Sequence, residues 1–170
     1  TKYLHAFASI PSIGAKTLRL LGAYFPSFEE AWRADDGILR NAGLDEKIIA
    51  AISWKRPSID PDRAIESLVR KNIWLIRESD SAYPPLLKEI PNPPYLLYGA
   101  GALPREETIL PIGVVGTRKP TSYGIQATET ITETLARAGA TVISGLALGI
   151  DAIAHRATLD AGGMTIAILG

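Results

Sequence analysis

Four successive residues, Gly116-Thr117-Arg118-Lys119, place a bare backbone, a hydroxyl, a planar guanidinium and an ammonium within one turn of chain. Together they are suited to phosphate. Backbone N–H groups in a glycine turn ahead of a helix have no helical partner and carry partial positive charge, and an arginine can add a bidentate contact. The same residues also fit a solvated loop, and neither G-x-G-x-x-G nor G-x-x-x-x-G-K-[ST] is present. A second glycine turn runs Ser144-Gly145-Leu146-Ala147-Leu148-Gly149 into Ile150-Asp151, with His155 one turn on. Asp151 and His155 fit either an acid–base pair or a helix cap and a packed ring. The cap is favoured, because no nucleophile or second carboxylate stands near them in sequence.

Each glycine turn follows a short β-branched run and precedes a helix. The expected order is strand 110–116, helix 123–138, strand 140–144, helix 151–161 and strand 165–169, with Thr121 or Ser122 capping the first helix. Strands alternating with helices of this length form right-handed βαβ units on a parallel sheet. Both turns then lie along the carboxyl edge, where open α/β sheets bind ligands, and that convergence favours a phosphorylated ligand. A parallel sheet of three strands leaves a bare edge, so the fold is expected to be the first part of a larger sheet.

Residues 4 to about 55 read as short helices with one tight turn, Pro11-Ser12-Ile13-Gly14. Asp45 is expected to open the last helix and Gly43 to stop the one before it. Lys55 to Pro61 reads as a linker, dividing the chain into a helical domain, 1–56, and an α/β domain, 57–170. Asp62 to Lys71 reads as a helix and Ile73–Ile76 as a strand. Six prolines in 79–105 exclude a long helix there. Pro11 to Thr17 resembles the hairpin of a helix-hairpin-helix (SAM-like) module. Ser12, Gly14 and Lys16 are therefore a second candidate DNA contact, although Ser12 replaces the glycine usual in that motif.

Composition narrows the partners. The chain has 170 residues, 46% hydrophobic, with 18 basic and 18 acidic side chains. That balance excludes a broadly basic DNA-coating protein, so any nucleic-acid affinity comes from a local patch. No cysteine and two separated histidines give no disulfide and no zinc site. No 18-residue apolar run or signal-peptide pattern is present, and a cytoplasmic setting fits. Tyr83, Tyr95, Tyr98 and Tyr123 could stack on bases, but such tyrosines are more often packed, and at most one is credited with that role.

Taken as a set, Tyr83-Pro84-Pro85-Leu86-Leu87, Pro93-Pro94-Tyr95-Leu96-Leu97-Tyr98-Gly99, Val114-Val115-Gly116-Thr117-Arg118, Tyr123-Gly124, Ser144 to Asp151, Ala154-His155 and Gly163 to Ala167 resemble the DprA/Smf family of DNA-processing proteins. The resemblance covers about residues 60–170. It implies an extended Rossmann-like domain that binds and protects single-stranded DNA without sequence preference. It further implies loading of RecA recombinase during natural transformation, homodimerisation, and no cofactor or enzymatic activity. By this resemblance Gly116, Thr117, Arg118 and Lys119 grip a DNA phosphate, with Ser144, Gly145 and Gly149 shaping the pocket. Leu148 stands where many relatives carry a cation. The family's further lysine contacts and its dimer and RecA surfaces lie beyond Gly170. The competing reading is a Rossmann-like enzyme of the nucleoside monophosphate phosphoribohydrolase type. It requires a catalytic carboxylate and a closed pocket, and neither is legible. A third reading makes the helical domain a protein-docking module.

Overall fold

Short oxygen-bearing side chains start most of the helices. In the computed structural model, which describes residues 1–102 and 110–169, Ser27 caps α3 (Phe28–Arg33), Asp35 caps α4 (Asp36–Asn41), Asp45 caps α5 (Glu46–Lys55) and Asp60 caps α6 (Pro61–Arg70). Each accepts an N–H from the first turn, which otherwise has no partner. Gly43 ends α4 at φ +86°, a conformation glycine adopts freely. Ahead of these lie α1 (Lys2–Ala8) and α2 (Ala15–Tyr24). Their apolar faces close on Phe7, whose ring meets Trp32 edge-on at 4.9 Å between centroids. Leu4, Leu21, Leu39, Ile49 and Ile52 fill the space around them.

By internal contacts the chain divides into two units, Thr1–Leu103 and Pro104–Gly170. This boundary differs from the expected one at 56/57, and long-range contacts are the reason. Instead of a linker, α5 passes into a single 3-10 turn, Arg56–Ser58, and α6 packs on α1. Lys2 pairs with Asp62 at 2.7 Å, Arg19 pairs with Glu78 at 2.9 Å and donates to the Pro93 carbonyl at 2.5 Å. Tyr95 and Leu96 lie against the helical core. The antiparallel pair β1 (Ile73–Arg77) and β2 (Leu96–Ala100) thus belongs with the helices. Its register runs from Ile73 opposite Ala100 to Arg77 opposite Leu96. Between them a four-residue helix, α7 (Pro85–Lys88), begins on a proline and is too short to show as a periodic pattern.

The second unit is a parallel sheet in the order β3 (Leu110–Gly113), β4 (Ala140–Ser144), β5 (Met164–Ala167). The connections are α8 (Ser122–Arg137) and α9 (Ile150–Asp160), which pack side by side. Central strand β4 is buried at Ala140, Thr141, Val142 and Ser144. Ladder pairing ends earlier than the apolar runs predict, at Gly113 and Ala167. Single bonds from the Val114 N–H to the Ile143 carbonyl and from the Ile168 N–H to the Ser144 carbonyl, 2.9 Å each, continue it one step. Among the described residues no helix is long and apolar enough to cross a membrane.

Candidate nucleic-acid interface

The first glycine turn is built by its neighbours. Gly116 lies under the Ile150 side chain, where a Cβ would come within 2.6 Å of Cγ1. The Lys119 N–H donates to Thr117 Oγ1 at 3.1 Å and closes the turn. Thr121, not Ser122, caps α8 by accepting the Gly124 N–H at 3.2 Å. Among the described residues the N–H groups of Gly116, Thr117 and Arg118 make no hydrogen bond within the protein, and neither Arg118 nor Lys119 pairs with a carboxylate. All four residues are exposed. Three unbonded amides and two unpaired cations facing solvent can bind an anion with no internal bond to break first.

The second turn supports the first. The Ile150 N–H donates to the Thr117 carbonyl at 3.1 Å, and the Gly149 Cα lies against the Thr117–Arg118 backbone so closely that no side chain fits between them. Gly149 is held at φ +85°, ψ −130°, where only glycine is comfortable. Ser144 is buried, and its hydroxyl donates to the Val114 carbonyl at 2.6 Å, tying the end of β4 to the strand leading into the first turn. Gly145 is exposed above Asp151 Oδ2. The structure therefore brings the two turns together, with Gly116 to Lys119 turned outward and Ser144 and Gly149 positioned behind them.

Asp151 is not the cap expected from its place in the sequence. Gly149 occupies the cap position, and Asp151, in the first turn of α9, folds its buried carboxylate back to accept the Ala147 N–H at 3.4 Å. His155 is buried four residues further on. Thr165 Oγ1 donates its proton to the Val142 carbonyl at 2.8 Å, so its 2.6 Å contact with His155 requires Nδ1 to donate. Among the described residues His155 Nε2 has no partner. The ring joins α9 to β5 through Thr165. Among the described residues no group of three or more acidic or imidazole side chains is placed to hold a metal.

The other candidate contact belongs to the first unit. Ser12 takes φ +78°, the glycine-like conformation that the hairpin demands, even though it is a serine. Gly14 begins α2 without a side-chain cap, and Lys16 is exposed in the first turn of that helix. Arg19 is committed to Glu78 and Pro93. Of the four tyrosines, Tyr83 is buried and donates to the Pro94 carbonyl at 2.7 Å, Tyr95 packs on Phe28, and the Tyr98 hydroxyl lies 2.8 Å from His5 Nδ1. Tyr123, in the first turn of α8, is 80% exposed and shares the unit of the phosphate turn. Sequence reasoning missed that Leu146 has φ +56°, and no signal announces this, because leucine rarely adopts it.

The chain is similar to known proteins. Residues 74–170 match the family described as DNA recombination-mediator protein A. Protein Smf of a Synechocystis species is 38% identical over 172 residues, which span 99% of this chain and 43% of that protein. DNA processing protein DprA of Bacillus subtilis is 33% identical over 146 residues, 81% of this chain and 49% of that protein. The chain thus spans less than half the length of these relatives. The X-ray structure of DNA processing protein A from Streptococcus pneumoniae superposes with a TM-score of 0.75 at 24% identity, over 99% of this chain and 57% of that chain. This places the parallel sheet and its helices within the Rossmann-like fold. By its sequence match, the chain belongs to the DNA recombination-mediator protein A family, whose members are named DprA and Smf.

Proposed function

We propose that the chain binds single-stranded DNA without sequence preference, in the cytoplasm, and that its role is binding rather than catalysis. The observation that carries this is the outward turn Gly116 to Lys119, fixed on the N-terminus of α9, whose amides and cations have no partner among the described residues. In a chain of balanced charge, such a local seat supplies phosphate affinity without coating a duplex. Tyr123, 80% exposed in the same unit, is placed to stack on a base. Family membership extends the proposal to a homodimer that hands the protected strand to RecA during recombination and natural transformation. The hairpin at Ser12, Gly14 and Lys16 is proposed as a second DNA contact.

The test is a salt titration of the full-length gene product with single- and double-stranded oligonucleotides. The expected result is preference for the single strand and a log–log slope of about −0.7 per phosphate contact. Salt-independent binding, or base release from nucleoside monophosphates, would overturn the proposal.

A further inference from the structure

The two joined turns differ in chemistry. Gly116 to Lys119 carries two cations, whereas Ser144 to Gly149 carries no charge and presents two leucines to solvent, Leu146 at 53% and Leu148 at 78% exposure. Between them Ala147 turns inward. Its N–H goes to Asp151, and its carbonyl accepts the Ala152 N–H at 3.1 Å. Those bonds hold Leu146 at φ +56°, a conformation that glycine adopts freely and a residue with a Cβ resists. An exposed leucine in a strained conformation is unfavourable for folding alone, and such outliers gather where a ligand is clamped. Two exposed leucines in one short loop call for an explanation that a single one does not.

Their position beside the cationic turn bears on what could occupy them. Leu148 directly precedes Gly149, which is pressed on the Thr117–Arg118 backbone, so the apolar loop borders the cationic turn. A strand whose phosphate lies on Arg118 therefore has a base close to the leucines. In a duplex the faces of that base are stacked inside the helix, whereas in a single strand they are free. We propose that Leu146 and Leu148 form an apolar step for the unstacked bases of single-stranded DNA, and that this step discriminates single strands from duplex. The inference rests on the DNA-binding reading above. It assigns to the second turn a contact with bases, separate from the phosphate contact of the first. Contact with a base face is indifferent to base identity, in keeping with binding that ignores sequence.

The test uses the full-length gene product and two strands of equal length, an oligothymidylate and an abasic tetrahydrofuran analogue. The double variant Leu146→Ser, Leu148→Ser is expected to lose about five- to tenfold in affinity for oligothymidylate, to be unchanged for the abasic strand, and to keep the wild-type salt slope. Equal losses on both strands, or no loss on either, would overturn the step while leaving the phosphate seat standing. A wild-type protein that binds neither strand would overturn both. Leu146→Gly guards against a folding artefact. It suits φ +56°, so the melting temperature should hold or rise while oligothymidylate affinity falls. A lower melting temperature would show Leu146 packed against protein instead and would overturn the proposal.

Discussion

Gly149 lies with its Cα against the carbonyl of Thr117, and the next residue along, Ile150, donates its N–H to that same oxygen. The phosphate turn thus has a backbone partner in the opposite loop. Gly149→Ala would force a side chain into φ +85° and into the Thr117–Arg118 backbone at once. Strain and overpacking together predict a loss of about 3 kcal/mol in the second unit. Urea unfolding of the variant measures it. Wild-type stability would show that the two loops part easily.

Arg118→Ala should weaken single-stranded DNA binding by about tenfold, equally for every base composition, and reduce the salt slope by about one contact. Lys119→Ala should act in the same direction but less strongly, since an ammonium lacks the bidentate fork. Fluorescence anisotropy on homopolymers of different bases checks both. Base-dependent losses would mean that the arginine reads the base.

Tyr83 fills the first unit with its ring and donates to the Pro94 carbonyl at 2.7 Å. Tyr83→Phe keeps the ring and strands the carbonyl, a cost of about 1–2 kcal/mol. Thermal denaturation should show the loss with DNA affinity unchanged. A fall in affinity at unchanged stability would make Tyr83 a DNA contact after all.

Local rules made much of the fold legible. The caps at Asp45 and Thr121, the stop at Gly43 and the strand 140–144 fall where side-chain chemistry within a few residues places them. The contact boundary at 103/104 was not legible, because it depends on Arg19 reaching Glu78 and Pro93, a pairing between residues far apart in sequence. At the site, glycine spacing was enough to find both turns but not to tell their roles apart. Ser144 and Gly149 look like ligand contacts in sequence. Only the Val114 and Thr117 carbonyls, brought in by the parallel sheet, show that they hold the backbone in place. Asp151 resembled a cap for the same reason, and the preceding turn moved the cap to Gly149.

His5 gives the first unit a pH dependence. Burial lowers its pKa below the usual 6.5, with a smaller opposing effect from the Ala64 carbonyl. Burial also pushes the Tyr98 phenol up to about 12, so it remains protonated and can donate to His5 Nδ1. A histidine whose pKa falls on folding contributes stability that is present above about 6.5 and is lost as pH drops through the folded value. The melting temperature should therefore fall between about pH 7 and pH 5, and His5→Gln should flatten that fall. An unchanged slope in the variant would assign the effect to other groups.

The chain of bonds from His155 through Thr165 to Val142 makes Nδ1 of a buried ring the donor, and among the described residues the other nitrogen has no partner. That nitrogen is a built-in reporter. In an isotope-labelled sample its resonance stands apart from solvent-exposed imidazole, and it senses how α9 sits on β5. Strand binding at the carboxyl edge can thus be followed from inside the sheet, by a nucleus that no probe has to be attached to.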